Sequence, residues 1–190
     1  IAGKFFENGC QGIIHRHYKT VACAKHFAVH SGPEPDRHAF NAIISDNDLY
    51  NTYLPAFRKL VVDAKVGGVM CAYNRLDSLP CCGSSFLLQD ILRKEWGFKG
   101  YLVTDCWALD DIFRYHKYVK TPEEAAAIAI KNGVNVECGN TLNTLQNAMK
   151  QCLLKETDID ASLAVNLEVL MKLGWFDKQD KSPYSQLGEK

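Results

Sequence analysis

The chain has 190 residues, 47% of them hydrophobic, with 22 basic and 22 acidic side chains and a formal net charge of zero. That is ordinary globular composition, long enough for one domain with a substantial core. It excludes a basic stripe for nucleic acid, a block of like charge and an apolar run long enough to span a membrane.

In chain order, the opening residues read as a helix, with Ile1 and Phe5 on one face and Asn8-Gly9 as its stop. The sequence starts inside that pattern and without a methionine, so a piece of a longer polypeptide is expected and no compartment is assigned. His15, Arg16 and His17 read as a solvated loop cluster. Val21-Ala22-Cys23-Ala24 is a short apolar run, predicted as a strand that exits into Lys25-His26. Residues 46–65 place Leu49, Tyr53, Phe57, Leu60, Val61 and Ala64 on one stripe behind Ser45 as N-cap, with a kink expected at Pro55. Val66 to Ala72 is a second strand, followed by Tyr73-Asn74. Residues 85–96 carry Leu88, Ile91, Leu92 and Trp96 on one face, with Ser84 or Ser85 as cap. Tyr101 to Thr104 is a third strand, ending on Asp105. Thr121, Pro122 and Glu124 are a capping-box start for a helix over 122–132 that Gly133 closes. Val134-Asn135-Val136 is a fourth, weaker strand before Glu137. Two helices follow, near 142–154 and 158–173, the second stopped by Gly174, and the polar segment 178–190 reads as a linker.

Strands alternating with helices predict an α/β fold with a parallel sheet. Two architectures fit: a doubly wound open sheet, or part of a (β/α)8 barrel, whose complete form takes about 250 residues. No glycine-rich phosphate fingerprint follows any strand, which disfavours the nucleotide-binding form of the open sheet. Ligands in parallel α/β folds bind at the C-terminal ends of strands. Those ends carry Lys25-His26, Tyr73-Asn74, Asp105 and Glu137. Lysine and histidine donate to hydroxyls, tyrosine can hold a carboxylate, and Trp107 offers a flat face to a sugar ring. A carboxylate among such donors suits glycoside hydrolysis, although Asp105 taken alone reads first as a turn or helix cap. Glu137 reads as a loop tie rather than a reacting group. The eight cysteines have no CxxC spacing. Most are expected as small core residues, with no disulfide assigned. No metal site is predicted, because the sequence after His26 and His30 forbids a helix presenting both rings.

The stretches VACAKHFAVHSGPEPDRH, VGGVMCAYNRLDSLPCCGSSFLLQDILRKEWGFKGYLVTDCWAL and LEVLMKLGWFDKQDKSPYSQLG resemble glycoside hydrolase family 3, in its β-xylosidase and β-glucosidase branches. The likeness runs from about Thr20 to Gly188, with KHF, a downstream arginine, AYN and GF-x-G-x-x-V-[ST]-D in order. It implies the C-terminal half of that family's TIM-type barrel domain over 1–177, about four βα units plus C-terminal helices, and a linker over 178–190 toward a second domain. It implies Asp105 as catalytic nucleophile, with Lys25, His26, Arg37, Tyr73 and Trp107 binding the sugar. Glu34 is expected to order the loop carrying Arg37. The acid/base residue would lie on the second domain, outside this chain.

The implied reaction is retaining, exo-acting hydrolysis of terminal β-D-xylosyl or β-D-glucosyl residues from oligosaccharides, with no metal or organic cofactor. Cys106 followed by Trp107 mixes the patterns of the two branches. The family makes a secreted or periplasmic location natural. Two other readings stand beside this one: a non-catalytic sugar-binding remnant, and an aldolase-type barrel with Lys25 as a Schiff base. Half a barrel has open sheet edges, so the isolated chain is expected to be poorly stable or self-associating.

Overall fold

In the computed structural model, residues 11–14, 17–178 and 183–185 are described. The opening helix with Ile1, Phe5, Asn8 and Gly9, the loop residues His15 and Arg16, and most of the 178–190 segment lie outside the described residues.

Three parallel strands position everything else. They are β3 (Cys23–Phe27), β5 (Gly68–Cys71) and β8 (Tyr101–Thr104), hydrogen-bonded in that order. β5 and β8 run in unbroken register from Gly68 opposite Tyr101 to Cys71 opposite Thr104. The fourth predicted strand is reduced to a single parallel bridge between Val103 and Val136. Its neighbour Asn135 explains this: its side-chain Oδ1 accepts from the Leu102 N–H at 2.8 Å, displacing a backbone partner. The spatial order follows the chain order without reversal, so no topological switch point of a doubly wound sheet occurs among the described residues.

The first strand differs from its prediction. It runs through Lys25 and His26 rather than stopping before them, and its register against β5 slips between Ala24 and Phe27. Three steps along β3 match two along β5, a bulge of the kind that re-aims side chains at strand ends. Phe27 then closes the strand, fully buried against Phe57 at 5.1 Å and Trp96 at 5.8 Å. Burial of one such side chain contributes about 2 kcal/mol.

The crossover helices form where the apolar periodicity places them. Helix α1 covers residues 46–63, begun by Ser45, whose Oγ accepts from the Asp48 N–H at 3.1 Å. In place of a simple kink, wide i→i+5 turns flank Leu54–Arg58, which contains Pro55. Proline cannot donate its share of the i→i+4 pattern. Helix α2 (Phe86–Glu95) has the same wide turns and starts from Ser84, whose Oγ accepts from the Leu87 N–H. It buries Leu87, Leu88, Ile91 and Leu92 against the sheet. Helix α3 (Ala108–Arg114) follows β8 directly. Helix α4 (Pro122–Lys131) has the full Thr121–Glu124 capping box, and Gly133 ends it at φ 91°. Helices α5 (Leu145–Lys150) and α6 (Glu156–Lys172) complete the chain's helical layer.

A second sheet was not legible in the sequence. Strand β4 (Asn41–Ala42) runs parallel to β6 (Arg75–Leu76), which turns back into β7 (Leu79–Pro80). The tight turn uses Asp77 and Ser78, both at positive φ, and the Asn41 Oδ1 accepts from the Ser78 N–H at 2.8 Å. Arg75 adds a bond to the Ala39 carbonyl at 2.9 Å. The loop after β3 is thereby tied to the loop after β5. The hairpin β1 (Ile13–Ile14) and β2 (His17–Tyr18) packs by α6, where His17 reaches Asp177 at 2.7 Å.

The cysteines correct an expectation. Cys71 bonds Cys82 and Cys106 bonds Cys138, while Cys23, Cys81 and Cys152 are free thiols. The pairs join residues 11 and 32 apart in sequence, each across the C-terminal end of a strand, so only the folded chain brings them together.

Candidate active site

Asp105 stands one residue past β8. Its N–H donates to the Cys71 carbonyl at 3.1 Å, extending the β5–β8 pairing by one step. The chain then swings through Trp107 at φ 69° into α3. Trp107 is the N-cap of that helix and no side chain caps it, so the Asp105 carboxylate is not consumed as a cap. Its Oδ1 accepts from the Cys106 N–H at 2.9 Å, and its Oδ2 lies 3.4 Å from His26 Nε2. The side chain is 13% exposed, a largely shielded carboxylate.

Three of the expected residues gather around it. His26 comes from the bulged end of β3. Burial pushes its pKa down, against the pull of Asp105, while His30, Lys25 and Arg37 lower it further. The ring is therefore neutral at neutral pH, a donor or acceptor rather than a fixed cation. Tyr73, 8% exposed, lies close enough to Asp105 and Arg37 for both charges to act on its hydroxyl. Burial, then the Asp105 charge, raises its pKa, so it stays a protonated donor. Arg37 lies with its guanidinium carbon 5.6 Å from the centre of the Tyr73 ring. It also pairs with Glu34, the residue expected to order this loop. That partner holds Arg37 above its usual pKa and Glu34 below its own.

The other two stand further out. Lys25 is exposed, and its ammonium acts on His26 through charge. Trp107 is 50% exposed and lines a cleft of about 310 Å³ with His38, Asp110, Asp111, Arg114 and Tyr115. That cleft adjoins the carboxylate site through His38, whose ring meets Tyr73 edge-on at 4.9 Å. Glu137 is a loop tie as expected: its two oxygens accept from the Thr141 and Leu142 N–H groups at 3.0 and 2.7 Å.

Sequence reasoning passed over the support behind these groups. His38 directs Nδ1 at both oxygens of Asp111, at 3.1 and 2.9 Å. Asp111 is 1% exposed, and burial pushes its pKa up to about 6 despite the opposing His38 contact. The buried Asn74 donates to the Ala28 and Arg75 carbonyls, pinning the strand end that presents Tyr73. His26 and His30 have ring centres 4.7 Å apart, because the turn at Val29 (φ 58°) folds the chain back. The two rings meet across a turn, not on a helix face. No group of three or more potential metal-binding side chains occurs among the described residues. No described helix is long and apolar enough to cross a membrane.

Fold and site together define a parallel α/β domain with a shielded carboxylate, ringed by donors, at the C-terminal ends of its strands. Comparison with known proteins names the group. The profile described as "Glycosyl hydrolase family 3 N terminal domain" matches residues 2–168. The chain belongs to this family. It is 45% identical over 183 residues to the xylan 1,4-beta-xylosidase of Xylanibacter ruminicola, covering 92% of this chain and 21% of the relative. It is 39% identical over 177 residues to a beta-xylosidase/alpha-L-arabinofuranosidase of Medicago sativa subsp. varia, covering 90% and 23%. Among solved structures it superposes on a family 3 exo-beta-xylosidase in complex with a xylobiose aziridine probe at TM-score 0.91 and 28% identity, covering 97% of this chain and 25% of that one. A Listeria innocua beta-glucosidase in complex with isofagomine gives TM-score 0.81 and 28% identity, covering 99% and 26%. The chain thus spans between a fifth and about a quarter of the length of these proteins.

Proposed function

We propose that this chain is the nucleophile-bearing part of a retaining, exo-acting β-glycosidase that removes terminal β-D-xylosyl or β-D-glucosyl residues from oligosaccharides. The observation that carries the reading is the Asp105 carboxylate, free of helix capping and flanked by His26 and Tyr73 at the strand ends. The sequentially ordered strands β3, β5 and β8, with Val136 as a rudimentary fourth, are about half of a (β/α)8 barrel over residues 1–177. Residues 178–190 lead toward a further domain of the same polypeptide, consistent with relatives four to five times as long. That domain supplies the acid/base.

Asp105 attacks the anomeric carbon as the acid residue protonates the departing oxygen. Water then breaks the glycosyl–Asp105 ester, with the same residue now acting as base. The two carboxyl groups stand about 5 to 5.5 Å apart in such enzymes. Tyr73 and neutral His26 orient the carboxylate for attack. Lys25 and Arg37 donate to sugar hydroxyls, contacts that speed the reaction to the extent that they tighten in the oxocarbenium-like state. Trp107 offers a platform for the ring beyond the cleaved bond.

Xylose is placed ahead of glucose because the 45% and 39% identical relatives carry xylosidase names and the 0.91 superposition is with a xylosidase. A sugar-binding remnant is the second reading, since no acid/base is assigned within the chain. One experiment separates them. The full-length protein is treated with a 2-fluoro-xyloside and a 2-fluoro-glucoside bearing good leaving groups, and the labelled peptide is mapped by mass spectrometry. Label on Asp105, faster with the xyloside, is expected. Turnover with label on another carboxylate would remove Asp105 from the chemistry. No label and no turnover would leave the binding remnant.

A further inference from the structure

The structure points to a role for the Cys106–Cys138 disulfide: we propose that it is a reducible clasp that holds Asp105 in its attacking position. The inference rests on Asp105 being the nucleophile.

The residues on either side of Asp105 are bound to one short segment, 136–138. The Thr104 N–H donates to the Val136 carbonyl at 3.0 Å. The Thr104 Oγ1 accepts from the Cys138 N–H at 3.1 Å. The Trp107 N–H donates to the Cys138 carbonyl at 2.6 Å. Cys106, between them, is joined to Cys138 covalently. The N–H of that same Cys106 is the donor to Asp105 Oδ1 at 2.9 Å. The disulfide therefore anchors the residue whose backbone aims the carboxylate.

The segment needs an anchor. Trp107 sits at φ 69°, in the left-handed region that a bulky residue occupies only when its surroundings impose it. Both Trp107 and Cys138 are exposed, so water competes for the hydrogen bonds that remain once the covalent tie is cut. Relaxation of Trp107 to negative φ re-aims the 105–106 backbone against α3 and the 136–138 segment, and the Asp105 carboxylate, held by the Cys106 N–H, moves with it. A displacement on the order of 1 Å costs up to about a hundredfold in rate.

The two disulfides differ in access. Cys71 and Cys82 are 0% and 1% exposed, whereas Cys138 is exposed and Cys106 half-buried. A soluble dithiol therefore reaches one bridge and not the other. Its thiolate attacks the Cys138 sulfur and Cys106 leaves as thiolate. The second thiol of the reagent then closes a cyclic disulfide and releases Cys138. Two electrons and two protons pass from the dithiol to the pair, leaving two cysteine thiols and an oxidised reagent.

The test uses the full-length protein under native conditions. Dithiothreitol is added, free thiols are alkylated and mapped, and trapping by the faster 2-fluoro glycoside is timed. Expected are alkylation at Cys106 and Cys138 but not at Cys71 or Cys82, and trapping slowed between about tenfold and a hundredfold. The inhibition constant of the parent monosaccharide should change less than about twofold, because a position for attack, not the sugar site, is lost. Reoxidation should restore the rate. The Cys106→Ser/Cys138→Ser variant should start at the slow rate and ignore dithiothreitol. Full alkylation of the pair with an unchanged trapping rate would overturn the proposal, as would a bridge that resists the dithiol or a serine variant as fast as the parent. Label on a carboxylate other than Asp105 would instead overturn the nucleophile assignment, and the same peptide map reads it.

Discussion

Replacing Tyr73 by phenylalanine tests the site with a single oxygen. The Tyr73 ring is 8% exposed, packed on the His38 edge at 4.9 Å and under Arg37 at 5.6 Å. Phenylalanine keeps those contacts, so the fold should lose only about 1 kcal/mol, the net worth of an ordinary hydrogen bond. What disappears is the hydroxyl on which the Asp105 and Arg37 charges act. The Asp105 Oδ2 has His26 at 3.4 Å, beyond the usual N–H···O range. A hydrogen bond to a charged group contributes about 1.5 to 3 kcal/mol. If that interaction orients the carboxylate for attack, its loss lowers kcat/KM between about tenfold and a hundredfold. The assay is initial-rate hydrolysis of an aryl β-xyloside by full-length Tyr73→Phe protein, beside a thermal unfolding trace. A kcat/KM within about twofold of the parent, with unfolding unchanged, would refute the claim that this hydroxyl positions the nucleophile.

Gly100→Ala should destabilise the domain by about 3 kcal/mol or more, because overpacking against fixed backbone has no cheap relaxation. A Cβ there would fall 2.0 Å from the Gly67 carbonyl oxygen, which already accepts from the Tyr101 N–H at the start of the β5–β8 pairing. Soluble yield and thermal unfolding report it, and an unshifted transition would contradict the packing. Asp111 sets a pH dependence: burial raises its pKa from 3.8 to about 6, with His38 opposing and Asp110 and Asp105 adding to the rise. The folded state holds a proton that the unfolded chain releases, so the stabilisation is fully present below about pH 4 and is lost as pH climbs through about 6. The loss is about 3 kcal/mol, one pKa unit being about 1.4. The melting temperature of the parent should therefore fall relative to that of Asp111→Asn, whose side chain stays neutral, as pH rises across that window. A difference flat with pH would show that Asp111 does not titrate there.

The sequence was most legible where a signal is local. The Thr121–Glu124 box, the Ser45 cap, the stop at Gly133 and the strand Tyr101–Thr104 all depend on residues within a few positions of each other. Asp105 was legible for the same reason, since an apolar run that ends on a carboxylate is visible without its neighbours. The family motif then supplied Lys25, His26, Arg37 and Tyr73, and folding brings three of these four against Asp105 or its immediate partners.

Tertiary structure decided what depends on separation. β4, β6 and β7 are two-residue strands with no periodicity to read, yet they bind the Arg37 loop to the Tyr73 loop. The bulge that puts Lys25 and His26 inside β3 exists only in the register against β5. His38 and Asp111 are 73 positions apart, and their contact forms only when the loop after β3 meets α3. Cys106 and Cys138 are 32 apart and meet because β8 and the segment after Val136 end side by side. Residue type and local spacing determined which groups could take part. Strand order and loop closure, which no short window encodes, determined which of them share the space around one carboxylate.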